Sequence, residues 1–278
     1  MNRIKTISRR LVRRPMGLIS LALVALMILV ALVSLIWTPY DPFAVNPAES
    51  WAPFSAKHPL GADSLGRDIL SRLMTGSQIT LLTAFCSVAF ATVFGLLLGG
   101  LIVFAPRPIA VLLERMVDLM VAFPTLLIAM IIATATKGAT WGLIVAIGIG
   151  SISTITRTIL PELRRSIRSD HVTLARTSGA GPWWLLRAHI FPDVAATLLI
   201  RMTQLLGVAT LAEAGLSYLG LGAPPPEPSW GRMLADHQNQ IYSRPEVLVA
   251  PAVVIVIAIL AFNLLGDALR DAMDARED

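Results

Sequence analysis

Residues 77–105 read SQITLLTAFCSVAFATVFGLLLGGLIVFA, an unbroken run without one charged side chain. A helix crosses the hydrocarbon core of a bilayer with about 20 apolar residues, so this stretch is expected to span a membrane with length to spare. Outward from it, further apolar runs occupy 16–37, 119–136, 140–156, 194–221 and 247–265. The run 194–221 is interrupted by Arg201 and Glu213, and 140–156 is closed by Arg157. The composition agrees. The 278 residues are 55% hydrophobic and 15% charged, against about 25% charged in a soluble domain, and the mean hydropathy is +0.70. The reading is an all-α integral membrane protein with six spans.

The first run follows a basic stretch, Arg3 to Arg14, as a signal peptide would. A signal core is about 7–15 residues and ends at small side chains. This run continues to Leu35-Ile36-Trp37-Thr38-Pro39, so it is read as a retained transmembrane helix. Orientation follows from Lys and Arg in the loops. With the N-terminus inside, sixteen lie in cytoplasmic segments and six outside (Lys57, Arg67, Arg72, Lys137, Arg232, Arg244); Arg201 completes the 23. Both termini are therefore expected to be cytoplasmic. The net charge of +5 is read as this topological signal, with no nucleic-acid partner. The single cysteine, Cys86, excludes an intramolecular disulfide and any multi-cysteine metal site. His58, His171, His189 and His237 lie in separate loops on both sides and do not form a metal cluster by spacing.

Within the spans, Gly95 and Gly99 form a small-xxx-small pair that permits close helix approach, or a chance pairing in a glycine-tolerant helix. Pro124 is expected to kink the third span. In the segment 38–76, Asp63 is read as the N-cap of an interfacial helix with Leu65, Ile69 and Leu73 on one face, and Asp68 and Arg72 as an i, i+4 ion pair. That segment is either a connector or part of substrate handling.

The longest cytoplasmic segment, 157–193, reads RTILPELRRSIRSDHVTLARTSGAGPWWLLRAHIFPD. Leu163, Ile167 and His171 continue one helical face, and 173–178 adds another turn or two. Gly179-Ala180-Gly181-Pro182 then breaks the helix. A second short helix, 183–189, precedes Phe191-Pro192. Such a bent element either docks into a groove on a soluble partner or merely joins two spans.

This segment resembles the EAA loop of bacterial ABC importer permeases, whose signature is Glu-Ala-Ala, three residues, Gly, nine residues, then Ile-x-Leu-Pro. Thr173-Leu174-Ala175 stands at the Glu-Ala-Ala, Gly179 falls at the glycine, and His189-Ile190-Phe191-Pro192 follows after nine residues. The peptide-importer branch commonly has His-Ile-Leu-Pro there. Thr173 and Leu174 depart from the pattern. Three more stretches resemble the second permease of dipeptide, oligopeptide and nickel importers: His58-Pro59-Leu60-Gly61-Ala62-Asp63-Ser64-Leu65-Gly66-Arg67-Asp68, Glu213 to Gly222 followed by Trp230-Gly231, and Ala261 to Asp271.

The resemblance implies a six-helix type I ABC importer transmembrane domain with a cytoplasmic coupling loop, in the bacterial inner membrane. It implies as partners a homologous second permease, two cytoplasmic ABC ATPases and an extracytoplasmic substrate-binding protein. The sequence contains no G-x-x-x-x-G-K-[ST] phosphate loop, so this chain is expected to be no enzyme and to hold no cofactor, with ATP and magnesium on the ATPases. The implied cargo is peptides, with nickel or a metal chelate as the alternative. Coupling falls to Ala175, Arg176, Gly179, Ala180, Gly181, His189 and Pro192. The translocation pathway falls to Glu213 and Arg201; by their own chemistry Glu213 is equally an interhelical hydrogen-bonding group, and Arg201 a residue that snorkels to the cytoplasmic surface. The expected division is 1–58, comprising N-tail, first span and the start of the external segment, and 59–278, a permease core with five spans, the loop 157–193 and a short C-tail. A stand-alone secondary transporter and a structural membrane subunit remain the alternatives of another class.

Overall fold

The structure, a computed structural model, describes residues 10–12 and 14–274. Arg3, Lys5, Arg9, Arg13 and Arg276 lie outside the described residues. The principal helices are α1 (Pro15–Val33), α2 (Ile69–Phe104), α3 (Arg107–Ala122), α4 (Thr125–Ala135), α5 (Thr140–Ile167), α6 (Asp170–Thr177), α7 (Pro182–Leu185), α8 (Phe191–Tyr218), α9 (Trp230–His237) and α10 (Glu246–Asp274). Five of them (α1, α2, α5, α8, α10) are long and apolar enough to cross a membrane, and α3 with α4 makes a sixth span if the bent pair is counted as one.

That bent pair is sharper than the kink expected at Pro124. The two helices meet at 84°. Proline disfavours helical geometry in the residue before it, and Phe123 is extended (φ −82°, ψ 133°). The break is therefore complete.

The most enclosed helix is α5, which packs chiefly against α2. The glycine pair decides how closely. A Cβ on Gly95 would lie 2.6 Å from Ile155 Cγ2, and one on Gly99 2.9 Å from Leu163 Cδ1. The Thr156 hydroxyl donates to the Gly95 carbonyl at 3.2 Å across the same contact. The pair is thus a packing surface. Helix α8 packs on α10, α2 and α5. Helix α1 sits at the edge, on α10 and α2, with Arg14 paired to Asp271 at 2.8 Å. Its exposed Leu18, Ile19, Leu26 and Leu29 suit contact with lipid.

At the end of the bundle where α2 begins, residues 38–68 fold with 229–244 into a cap. The expected interfacial helix is absent here. Gly66 is left-handed (φ +73°), which stops any helix starting at Asp63. Helix α2 instead starts at Ile69, capped by Asp68, whose Oδ2 accepts from the Ser71 N–H at 2.8 Å. The Asp68–Arg72 pair is likewise replaced. Asp68 Oδ1 turns to His58 Nδ1 at 2.8 Å, while Arg72 reaches Asp236 at 3.4 Å and Asp63 at 3.9 Å. Asp63, fully buried, accepts from the N–H groups of Leu65 (2.8 Å) and Arg67 (3.0 Å) and from Arg67 Nε (2.7 Å). It organises a loop where a helix N-cap was expected.

Candidate translocation cleft and coupling loop

Helices α4, α5, α8 and α10 border a cleft of ≈ 670 Å³, within the usual span of small-molecule sites. Its walls are mostly apolar, including Leu126, Leu205 and Val208. The polar groups are few: Thr125, Ser151, Thr154, Arg201, Gln204 and Asn263. The break at Pro124 matters to this cleft, because it places Thr125 and Leu126 at the wall. A Cβ on Gly150 would stand 2.2 Å from Thr125 Cγ2, so glycine is what lets α4 lie this close to α5.

Arg201 lines the cleft, and its Nη1 donates to Gln204 Oε1 at 3.3 Å. Glu213 does not line it. Twelve residues further along α8, about 18 Å at 1.5 Å per residue, Glu213 is fully buried and Oε1 accepts from the Ser217 hydroxyl at 2.6 Å. The hydroxyls of Thr80 and Ser229 stand beside the carboxyl group, though Oε2 makes no well-formed hydrogen bond. Nearby, the Trp230 N–H donates to Thr80 Oγ1 at 3.3 Å and the Trp230 indole N–H to the Leu73 carbonyl at 3.1 Å. Glu213 therefore sits where α8, α2 and α9 meet, at the base of the cap. The structure separates the two residues that the sequence reading grouped. Gln204, Thr154 and Asn263 escaped that reading. Gln204 was within reach of it, since i and i+3 share a helix face.

The loop beyond α5 is built on a helix cap. After α6 the Gly179 N–H donates to the Arg176 carbonyl at 3.1 Å and the Ala180 N–H to the Ala175 carbonyl at 3.1 Å. This paired closure needs a left-handed residue at Gly179, and its φ is +89°. A Cβ added there, or at Gly181, would meet nothing within 4 Å. Ala175 and Ala180 rest against the core, with Val172, Leu185 and Ile190 as buried anchors. The outer face is apolar too: Leu174 is 67% exposed and Trp183 69%. Arg176 points outward among them. The break expected at Phe191-Pro192 does not occur. Residues Leu186–Ile190 form a π-helical turn that carries α7 directly into α8. Pro192 has no N–H to give to the carbonyl four residues back, and a wider turn absorbs that loss. His189 lies in this turn; its side chain is outside the described ones. Among the described residues, no group of three His, Cys, Asp or Glu is placed to hold a metal ion.

This helical bundle with its broken span and capped loop has counterparts. Residues 91–278 match the family described as binding-protein-dependent transport system inner membrane component, and residues 3–59 match the N-terminal TM domain of oligopeptide transport permease C. The chain belongs to this family of ABC importer permeases and is a multi-pass inner membrane protein. Among its relatives, the di/tripeptide transport system permease protein DppC of Pseudomonas aeruginosa is 36% identical, over 86% of this chain and 80% of that one. The glutathione transport system permease protein GsiD of Pectobacterium atrosepticum is 32% identical, over 96% and 89%. A chain of the inward-facing MetNI methionine ABC transporter superposes with a TM-score of 0.59 at 21% identity, covering 72% of this chain and 95% of that one. The fold is thus that of a type I importer permease.

Proposed function

We propose that this chain forms half of the pathway by which short peptides, delivered by an extracytoplasmic binding protein, cross the inner membrane. Relatives named for di/tripeptide and glutathione transport support the cargo. In this reading a homologous second permease closes the open side of the cleft bearing Arg201. Two cytoplasmic ATPases bind ATP and magnesium and supply the hydrolysis. Both termini are cytoplasmic. The loop within 157–193 receives the ATPases, through Ala175, Arg176, Gly179, Ala180 and Gly181, with His189 in the π-helical turn and Pro192 at the start of α8 behind them. Residues 1–58 form an N-terminal element attached to the permease core 59–278.

The observation that carries the reading is the loop's division of labour. Val172, Leu185 and Ile190 tie it to the bundle, while Leu174 and Trp183 face outward at its tip. Apolar side chains gathered on an exposed rim mark a protein-interaction surface. The decisive experiment is reconstitution in proteoliposomes. Peptide uptake is expected only when the second permease, the ATPases, the binding protein and ATP are all present. Uptake by this chain without the ATPases would point to a secondary transporter and end the proposal. In parallel, an external thiol reagent is expected to label cysteines placed at Asn46 and Asn239 and to miss one at Arg168. Labelling of the last would overturn the orientation.

A further inference from the structure

Several arginines near the spans have an acidic partner. Arg14 meets Asp271, Arg72 meets Asp63 and Asp236, Arg157 meets Asp118, and Arg164 meets Glu114. Arg201 does not. Its one hydrogen bond goes to a neutral amide, Gln204, and its Nε is buried with no acceptor. No carboxylate among the described residues lies within ion-pair distance of it. The carboxylates in its neighbourhood are otherwise placed. Glu162 accepts from Thr197, one turn of α8 away, at 2.7 Å. Glu213 is held by Ser217. Asp267, one turn of α10 beyond Asn263, is exposed.

A guanidinium stays charged at any working pH and carries five donors in a planar fork that matches a carboxylate two-point. Leaving such a group without a counter-charge at membrane depth is unfavourable even half-buried, as Arg201 is in the cleft wall. It is tolerable where its counter-charge arrives from elsewhere. The cleft around it supplies the rest of a site: apolar walls, and amide and hydroxyl groups at Gln204, Asn263 and Thr154.

We infer that Arg201 is the receptor for the carboxylate of the passing peptide, holding it by a two-point ion pair while the apolar walls accommodate side chains of varied shape. This rests on the peptide reading above and adds to it a specificity-determining residue. The counter-charge has one rival source, a carboxylate of the second permease across the cleft.

The test uses the complete importer in proteoliposomes, with an unmodified dipeptide or tripeptide that loads its binding protein. Arg201→Gln is expected to lower uptake at saturating loaded binding protein by about 10- to 100-fold, the loss typical of one charge-assisted contact. Arg201→Lys, which keeps the charge and loses the fork, is expected to recover part of it. The melting temperature of the assembled, substrate-free complex is expected to be the same for all three. Full uptake by Arg201→Gln overturns the inference. So does a lowered melting temperature of the substrate-free complex, which assigns the counter-charge to the second permease. Absence of peptide uptake by the wild-type importer is a different result, since it removes the peptide reading itself before any variant is compared.

Discussion

The segment 38–68 and the loop 168–190 lie at opposite ends of α2, and each joins two long helices of the bundle. The first turns a cluster of its charges inward, against Arg72 at the start of α2. Asp63, Asp68, His58 and Arg72 are all at most 3% exposed, and each is held by hydrogen bonds or ion pairs within this one chain. The second turns its charges and much of its apolar surface outward, with nothing within 4 Å of a side chain added at Gly179. Both depend on left-handed glycines, Gly66 and Gly179. At Gly66 a Cβ would stand 1.8 Å from the Asn46 carbonyl oxygen; at Gly179 it would stand in the open. A connector finished by its own contacts supports the fold. On the reading proposed above, a connector left unfinished by them makes its remaining contacts with the ATPases.

The largest effect that could break this contrast is at Asp63. Asp63→Ala leaves Arg67 and Arg72 facing each other across a buried gap and strips two backbone N–H groups of their acceptor. Removing one partner of a buried pair costs about 3–5 kcal/mol, so little folded protein is expected after purification in detergent. Wild-type yield and melting temperature from this variant would show that the cap contributes nothing to stability. Next is Gly66→Ala, which meets both the strained dihedral and the Asn46 backbone, at about 1–3 kcal/mol. Its lowered melting temperature should be accompanied by faster proteolysis within 38–68.

The loop is expected to behave otherwise. Gly179→Ala bears only the left-handed penalty, about 1–2 kcal/mol. Gly179→Arg should cost the isolated chain the same within about 0.5 kcal/mol, because open space does not distinguish the two side chains. They should separate only in the presence of the ATPases, where the arginine lowers association or abolishes transport-linked hydrolysis. Equal association and equal uptake for both variants and wild type would remove the loop from coupling.

The smallest effect concerns acidity at the cap. His237 is buried beside the Trp51 ring, with both ring nitrogens lacking hydrogen-bond partners. Burial lowers its pKa from the ordinary 6.5; Arg72 and Arg67 lower it too, against the opposing pull of Asp63 and Asp236. The unfolded chain therefore takes up this proton at a higher pH than the folded one. Stability from the neutral ring is present above the unfolded value and is lost as pH falls through the folded one. Melting curves between pH 7.5 and 5 should show a slope of at most about 1.4 kcal/mol per pH unit from this group, flattened in His237→Gln. An unchanged slope in that variant would assign the pH dependence to other groups.

How far the sequence was legible follows the same division. Spans are set by apolar length, a one-dimensional property, and the long helices fell where the apolar runs lie. The break at Gly179 was legible because it acts through its immediate chain geometry, whereas the pair Gly95 and Gly99 stayed open between packing and chance until Ile155 and Leu163 of α5 were seen against it. Asp63 and Asp68 were misassigned because both can cap a helix. What decides between them is the left-handed Gly66, the His58 ring that takes Asp68, and the Asp236 carboxylate that draws Arg72 away, none of which local spacing reveals. The grouping of Arg201 with Glu213 came apart for a related reason. Two ionisable residues on one helix look alike in sequence, yet one faces the cleft and the other faces the cap. Pro192 signals a helix end in most settings, and only the π-helical turn before it explains the continuous helix.

That continuity has a mechanical consequence. The 4, 5 and 28 residues from Pro182 to Tyr218 make a rod of about 55 Å at 1.5 Å per residue. Its far end is anchored by Glu213 and Ser217 in the cap, and its near end carries Trp183. A swing of about 10° about the anchored end moves Trp183 through an arc of roughly 9 Å and Arg201 through roughly 4 Å. The position of Arg201 along the rod thus fixes a gear ratio of about two, so a large displacement at the loop arrives at the cleft as a smaller one. The π-helical turn Leu186–Ile190 lies between the loop end of that rod and Arg201.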